Sequence, residues 1–403
     1  MQGGPYCLIV FSIGMMLMLS ACKDGESESS QSPAPAVPYV KFTNGQAASV
    51  VIGQEDFVSN GAVLSQNRLY NPYTNTFVAD DGALYIPDYS NNRILVYDSI
   101  PTINGTAADG VIGQPDFTTS GNTGASATQL AGPISPVVYE DKLYLLGFKH
   151  SRVAIYNTVP NDSPGTIDTV LGQPDKITSG STCSSSGLNE PESLWVVDDK
   201  LFVADGLNNR VLIWLSIPTI DGVEPDLVLG QYEMDECDAN SHGLGAGSLS
   251  FPTAVWSDGN KIVVSDTNNY RILIWNNFPT INGQEADIVL GQVDFFSNGI
   301  NQDGDVGSDT LGRPYEGLHV ANNQIIASDE TNHRVLIWNS FPTESGQSAD
   351  VVIGQEDFIS NSVGVTETTL SHPSGVHLND DKLIVTDRAN HRVMIYQGEW
   401  STY

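Results

Sequence analysis

A Gly-Gln pair preceded by Ile or Leu recurs six times along the chain, at Gly53, Gly113, Gly172, Gly230, Gly291 and Gly354, at intervals of 60, 59, 58, 61 and 63 residues. Two more signatures keep the same beat. Leu-x-x-Pro opens every unit (Leu69/Pro72, Leu130/Pro133, Leu188/Pro191, Leu249/Pro252, Leu311/Pro314, Leu370/Pro373), and an arginine returns at 93, 152, 210, 271, 334 and 392. Repetition at a fixed period means one supersecondary unit stacked many times, and it decides the architecture before any local feature does. Each unit holds four short runs rich in Val, Ile, Leu and Trp; in the fourth they are "TAVWS", "KIVVSD", "YRILIW" and "ADIVLGQ". Turn residues bound these runs, and none has the length or period of a helix. Four strands per unit, repeated, specify an all-β, six-bladed β-propeller whose sheets hide their apolar faces against one another.

Strand counting also predicts how the ring closes. The run "AASVVIGQ" (Ala47–Gln54) precedes any complete unit, whereas the last unit, Leu370 to Gln397, has three strands and stops. The N-terminal strand is therefore expected to complete the C-terminal blade, which leaves no open edge in the ring.

The wording "DETNHRV" (Asp329–Val335) and "DRANHRV" (Asp387–Val393) resembles the NHL-repeat family of six-bladed propellers, over roughly residues 44–398. The phrase "IGQPDF" (Ile112–Phe117) resembles a bacterial subgroup of it. An NHL-like enzyme, the peptidyl-hydroxyglycine amidating lyase, carries zinc on three channel histidines. In this chain the resemblance transfers only to His319 and His377, one short of the three protein ligands expected for catalytic zinc.

At the N-terminus, "MQGGPYCLIVFSIGMMLMLSAC" is an apolar run ending in small residues, too short and too terminal for a spanning helix. Leu19-Ser20-Ala21-Cys22 resembles the lipobox of bacterial lipoproteins. The resemblance implies a signal peptide over 1–21, a lipidated Cys22 and, because Lys23 rather than Asp follows, an address in the cell envelope at the outer membrane. Residues 22–43 then read as lipidated cysteine and flexible tether, and 44–403 as the propeller. In an exported, oxidising setting the remaining cysteines, Cys183 and Cys237, lie in equivalent loops of consecutive repeats and are placed to form a disulfide.

The chain has 48 acidic residues against 17 basic ones, a formal charge of −31. Such a field disfavours nucleic acid and anionic lipid as partners, so membrane contact is expected only through the lipid anchor. Six repeated arginines tempt a reading as an anion-binding ring, but packing must be satisfied in every blade, whereas a ligand site need not be. We expect each arginine to pair with the acid two residues after the Gln: Asp56, Asp116, Asp175, Glu233, Asp294 and Asp357. Asn91, Asn208, Asn269, Asn332 and Asn390 are expected to supply the left-handed residue of the turn before it. Blade two departs, with Gly147 and His150 at the Asp and Asn places.

Function should then lie in what differs between units. At one register the innermost strands carry Val78, Val137, Trp195, Trp256, His319 and His377. The two Trp and two His are suited to hold a flat or cationic ligand in the channel. Arg68 and Arg313 precede innermost strands and Arg388 sits in a strand turn, and these three are candidates to recognise an anionic group near the channel mouth. "NQDGDVGSD" offers Asp303, Asp305 and Asp309 as oxygen ligands for Ca²⁺, without the EF-hand spacing. No Ser-His-Asp arrangement, phosphate loop or Cys-x-x-Cys pair is present. The leading expectation is a non-catalytic scaffold that binds a protein, peptide or glycan through its variable loop face. The alternative is a propeller hydrolase or lyase, metal-assisted, acting at the channel.

Overall fold

The computed structural model describes residues 37–121, 124–160 and 164–402; the expected signal peptide, Cys22 and most of the expected tether lie outside them. Six four-stranded antiparallel sheets form the blades of a β-propeller. In blade III, the innermost strand Pro191–Val197 pairs with Lys200–Asp205, then Arg210–Trp214, then the outer strand Leu227–Leu229. Blades I, II, IV and V repeat this order, with innermost strands Phe77–Val78, Pro133–Tyr139, Pro252–Ser257 and Pro314–Ala321. Blade VI takes Pro373–Asn379, Lys382–Asp387 and Arg392–Gln397 from the C-terminus and Val50–Ile52 from the N-terminus, with Val51 opposite Met394. The expected closure is thus the observed one.

Closure goes further than one strand. Ahead of the outer strand, "TNGQ" (43–46) repeats the "PTING" turn that elsewhere reaches the previous blade. Asn44 Oδ1 accepts from Val352 N at 3.0 Å, as Asn104 does from Val51 N and Asn282 from Val228 N. The strand Pro38–Lys41 pairs with Glu399–Thr402 in a ribbon of its own. Sequence alone places residues 38–43 in the tether, because one short run without a repeat partner carries no periodicity. In the fold Val40 and Phe42 are buried against Ile326 and Val376, sealing the gap between blades V and VI. Gln324 explains its own exception here. Four other blades carry Lys at that place, and Gln324 alone exchanges two hydrogen bonds with the Val40 backbone, at 2.7 and 2.9 Å.

The signatures are mutual contacts. Gly291 has φ +83°, and a Cβ there would lie 2.7 Å from Leu311 Cγ, so the Gly of one signature makes room for the Leu of the next. Gln292 Nε2 donates to Tyr270 O at 3.0 Å and Gly299 O at 2.8 Å, stapling the outer strand to a turn and a loop. Arg271 is buried, with Nε on Asp266 Oδ2 at 2.7 Å, Nη1 on Phe295 O at 2.6 Å and Nη2 on Gly245 O and Ser248 O. Arg93, Arg210, Arg334 and Arg392 repeat the set with Asp88, Asp205, Asp329 and Asp387. The expected partners are therefore wrong. Asp and Arg five residues apart face each other across the hairpin, as Asp266 opposite Arg271, whereas the acid after Gln caps its own loop: Asp56 Oδ1 accepts from Val58 N and Ser59 N. The left-handed turn residue also falls one place later, at Asn92, Ser151, Asn209, Tyr270, His333 and His391. Asn269 instead donates to Asp266 Oδ2 at 2.7 Å, holding the carboxylate for the arginine. The aromatic four residues after each arginine (Tyr97, Tyr156, Trp214, Trp275, Trp338, Tyr396) is buried between blades, as burying a large ring in every sheet contact requires. Cys183 and Cys237 form a disulfide joining the loops that follow blades II and III.

Candidate functional site

The innermost strands start at the face that carries the Asp-x-x-Asn turns, so everything at their beginnings converges on one mouth of the channel. Five of the six strands bulge there: one residue is extruded between Pro191 and Ser193, between Pro252 and Ala254 and between Pro373 and Gly375, and the register also slips between Ile134 and Val137. In blade V the register slips by two, with Tyr315, Glu316 and Gly317 unpaired and Glu316 in the left-handed region at φ +58°. A non-glycine residue there costs on the order of 1 kcal/mol and is held by its surroundings.

The bulges drive two carboxyl groups into the channel. Glu192 and Glu316 are each 1% exposed and lie close enough to raise the cost of charging one another. Glu316 Oε2 accepts from Thr74 N at 3.1 Å, and the Tyr73 and Tyr315 hydroxyls meet across the channel above. Burial pushes the Glu316 carboxyl up to about 8, and burial with the neighbouring Glu316 drives Glu192 well above the carboxylate range. Two carboxyls this close and this dry disfavour each other's charged form. Glu192 Oε2 and Glu316 Oε1 remain without partners among the described residues.

Over this pair lies a ring of residues that the repeat leaves free to vary. The first residue of each turn helix is Tyr89, Phe148, Gly206, Thr267, Glu330 or Arg388. Glu330 is buried and bridges two cations, Arg313 Nη1 at 3.2 Å and Arg388 Nη2 at 2.5 Å. Arg313 stacks 4.1 Å over Tyr315, Arg388 lies 5.5 Å from Tyr73, and Lys149 sits 4.7 Å over Tyr89. Tyr73 and Tyr89 are 5.1 Å apart, Tyr89 and Phe148 5.9 Å. Of the seventeen basic residues of the chain, six are the buried repeat arginines and three of the others gather here.

Three residues deeper, the expected belt is present. Trp195 and Trp256 are 6.4 Å apart, Trp195 and His319 5.9 Å, His319 and His377 4.4 Å. Trp195 Nε1 donates to Ser257 O at 2.8 Å, and burial lowers His319 to about 4 and His377 further. Both rings are therefore neutral and available as ligands, yet no group of three or more His, Cys, Asp or Glu converges around a metal position among the described residues. The same holds for Asp303, Asp305 and Asp309. In their loop Gln302 Nε2 binds Asp309 O at 2.9 Å, and Asn301 and Gln302 are left-handed. Arg313 reaches the mouth as expected, whereas Arg68 is held away from it by Gln54 at 2.7 Å and Glu55 at 2.6 Å. Sequence reasoning missed Glu192 and Glu316. Their signal is the residue after each Leu-x-x-Pro, where blades II, IV and VI carry Ile134, Thr253 and Ser374, and the extra residue before His319 in blade V.

No family model and no curated protein matches the chain. Similar solved structures include streptogramin B lyase, with 12% identity over 85% of this chain and 96% of that one and a TM-score of 0.44. Virginiamycin B lyase from Staphylococcus aureus has 10% identity over 83% and 97%, TM-score 0.41. A structural genomics protein of unknown function from Bacteroides thetaiotaomicron has 13% over 90% and 76%, TM-score 0.48. The class is defined by the architecture itself, the six-bladed β-propeller.

Proposed function

We propose that this protein is an exported, lipid-anchored binding propeller whose recognition surface is the turn-face mouth of its channel, and that the mouth takes an anionic ligand with a flat ring. The observation that carries this reading is the gathering of Arg313, Arg388 and Lys149 with four aromatic rings, in a chain of charge −31. Arginine stacked on an aromatic face keeps its fork of N–H donors open to a carboxylate or phosphate, and the rings accept a planar body beside it. Leu19-Ser20-Ala21-Cys22 supports the anchor at the outer membrane.

Calorimetric titration of the purified propeller with aromatic carboxylates and aryl phosphates tests this. Arg388→Gln should weaken binding about tenfold, the value of one charge-assisted hydrogen bond. Equal binding of the uncharged amides would overturn it, and binding by peptides or neutral glycans alone would return the loop face to consideration. The buried carboxyl pair favours the second reading, a lyase or hydrolase using Glu192 and Glu316 as acid and base. In that case Glu316→Gln would abolish turnover of a bound ligand while leaving its affinity intact.

A further inference from the structure

On the face opposite the mouth, blades I and II part to leave a cleft of about 820 Å³. Its floor is apolar, with Ala79, Ala83, Val96, Val111 and Val138, and its rim carries Asp80, Asp81, Asp98, Asp109, Glu140 and Asp141, with no Lys or Arg in the lining. This cleft is built by four departures from the repeat, three in blade I and one in blade II, all at one place. Ala83 stands where the second strands of blades II, III, IV and VI begin with Lys142, Lys200, Lys261 and Lys382. Elsewhere that lysine closes the gap to the next blade: Lys200 lies 5.6 Å over Phe278 and Lys261 5.3 Å over Phe341. Gly110 stands where the other outer strands have Thr169, Leu227, Ile288, Val351 or Val50. The loop of blade II that enters the gap brings only Val159 where blades IV and V bring Phe278 and Phe341. Asp98 adds a carboxylate where blades II, IV and V have Asn157, Asn276 and Asn339.

A second observation points the same way. Tyr85 lines the cleft at 4% exposure, and its hydroxyl makes no hydrogen bond among the described residues. Burial, with Asp81 and Asp98 near, pushes the phenol up to about 12, so it stays a neutral donor and acceptor. A phenol hydroxyl is both donor and acceptor, and a ligand atom in the cleft can engage it.

We propose that this cleft is a binding site for an organic cation, an amine or amidinium carried on a flat apolar body. The body takes the place of the missing Gly110 and Val159 side-chain volume, and the charge takes the place of the absent lysine among the carboxylates. The volume lies within the range of small-molecule sites, roughly 300–1,000 Å³. The site is independent of the mouth and stands whether or not that surface binds an anion.

The test uses the whole propeller and benzamidine, phenethylamine and the uncharged benzamide as probes, followed by calorimetry and by chemical-shift changes at Tyr85. Saturable one-to-one binding of the two cations at millimolar concentration or tighter is expected, weakening as salt is added, with no binding of benzamide. The Ala83→Lys, Gly110→Val variant restores residues that other blades carry at these positions and should reduce cation affinity about tenfold or more. Asp98→Asn, at an exposed position, should weaken it a few-fold without touching the fold. Arg388→Gln at the mouth should change nothing. No saturable cation binding, equal binding of benzamide, or unchanged affinity in the Asp98→Asn protein and in a folded Ala83→Lys, Gly110→Val protein would each overturn the assignment.

Discussion

Blade II contains a natural deletion of the ion pair that the other five blades share, and it can be repaired. Arg152 keeps its carbonyl partners, Nη1 on Lys176 O at 2.7 Å and Nη2 on Gln129 O at 2.6 Å, but Nε has no acceptor. The cost is visible in the guanidinium, whose pKa burial pulls down. Gly147 has φ −90° and ψ 79°, close to the −89° and 77° of Asp205 in blade III. A Cβ added there would meet Arg152 Cγ at 3.4 Å and Nε at 3.5 Å, an ordinary contact. The unpartnered Nδ1 of His150 stands at the Asn place that elsewhere donates to the aspartate. Gly147→Asp thus gains a charge-assisted hydrogen bond, about 1.5–3 kcal/mol. It also removes glycine's excess freedom in the unfolded chain, about 0.5–1 kcal/mol. Desolvating the new carboxylate offsets part of this, so a net gain of about 1–3 kcal/mol is expected. The mirror experiment, Asp266→Ala in blade IV, strands a fully buried Arg271 and should lose about 3–5 kcal/mol. Urea unfolding followed by tryptophan fluorescence reads both as midpoint shifts at constant slope. A Gly147→Asp protein no more stable than wild type, alongside the expected loss in Asp266→Ala, would refute the view that the arginine needs its aspartate for charge rather than for shape.

Two further outcomes follow from the same reasoning. Folding favours the protonated Glu316 carboxyl, whose pKa rises from 4.5 to about 8. The stability it contributes is full below about 4.5 and is lost as pH rises through about 8. Glu316→Gln should therefore flatten the decline in the urea midpoint between acidic and mildly alkaline buffer. The Cys183–Cys237 bridge, with a sequence separation of 54, constrains the unfolded chain by about 4 kcal/mol in the entropy model. Reduction, or the double serine variant, should lower the urea midpoint by up to that amount, whereas an unchanged midpoint would mean that the loops are held by other contacts.

The fold was legible because its determinants are periodic. Each signature residue meets another signature residue, as Gly291 meets Leu311 and Arg271 meets Asp266, so registered copies announce the same contacts in blade after blade. Partner choice was less legible, because two acids per unit lay within reach of the arginine in sequence and only hairpin register separates them. The channel belt of Trp195, Trp256, His319 and His377 could be placed by counting from each proline. The Glu192–Glu316 pair could not, because a bulge breaks the alternation that makes counting work. The cleft between blades I and II was hidden for the opposite reason. It is made of absences, Ala83 and Gly110, and a missing side chain stands out only once every blade is superposed in register.

The ribbon that pairs Pro38 with Thr402 has a topological meaning beyond sealing a gap. Both ends of the described chain lie side by side, so the molecule behaves as a closed necklace that happens to be unclasped between two particular beads. A few residues joining the ends, with a new opening cut in another inter-blade loop, would thread the same disc from a different starting point.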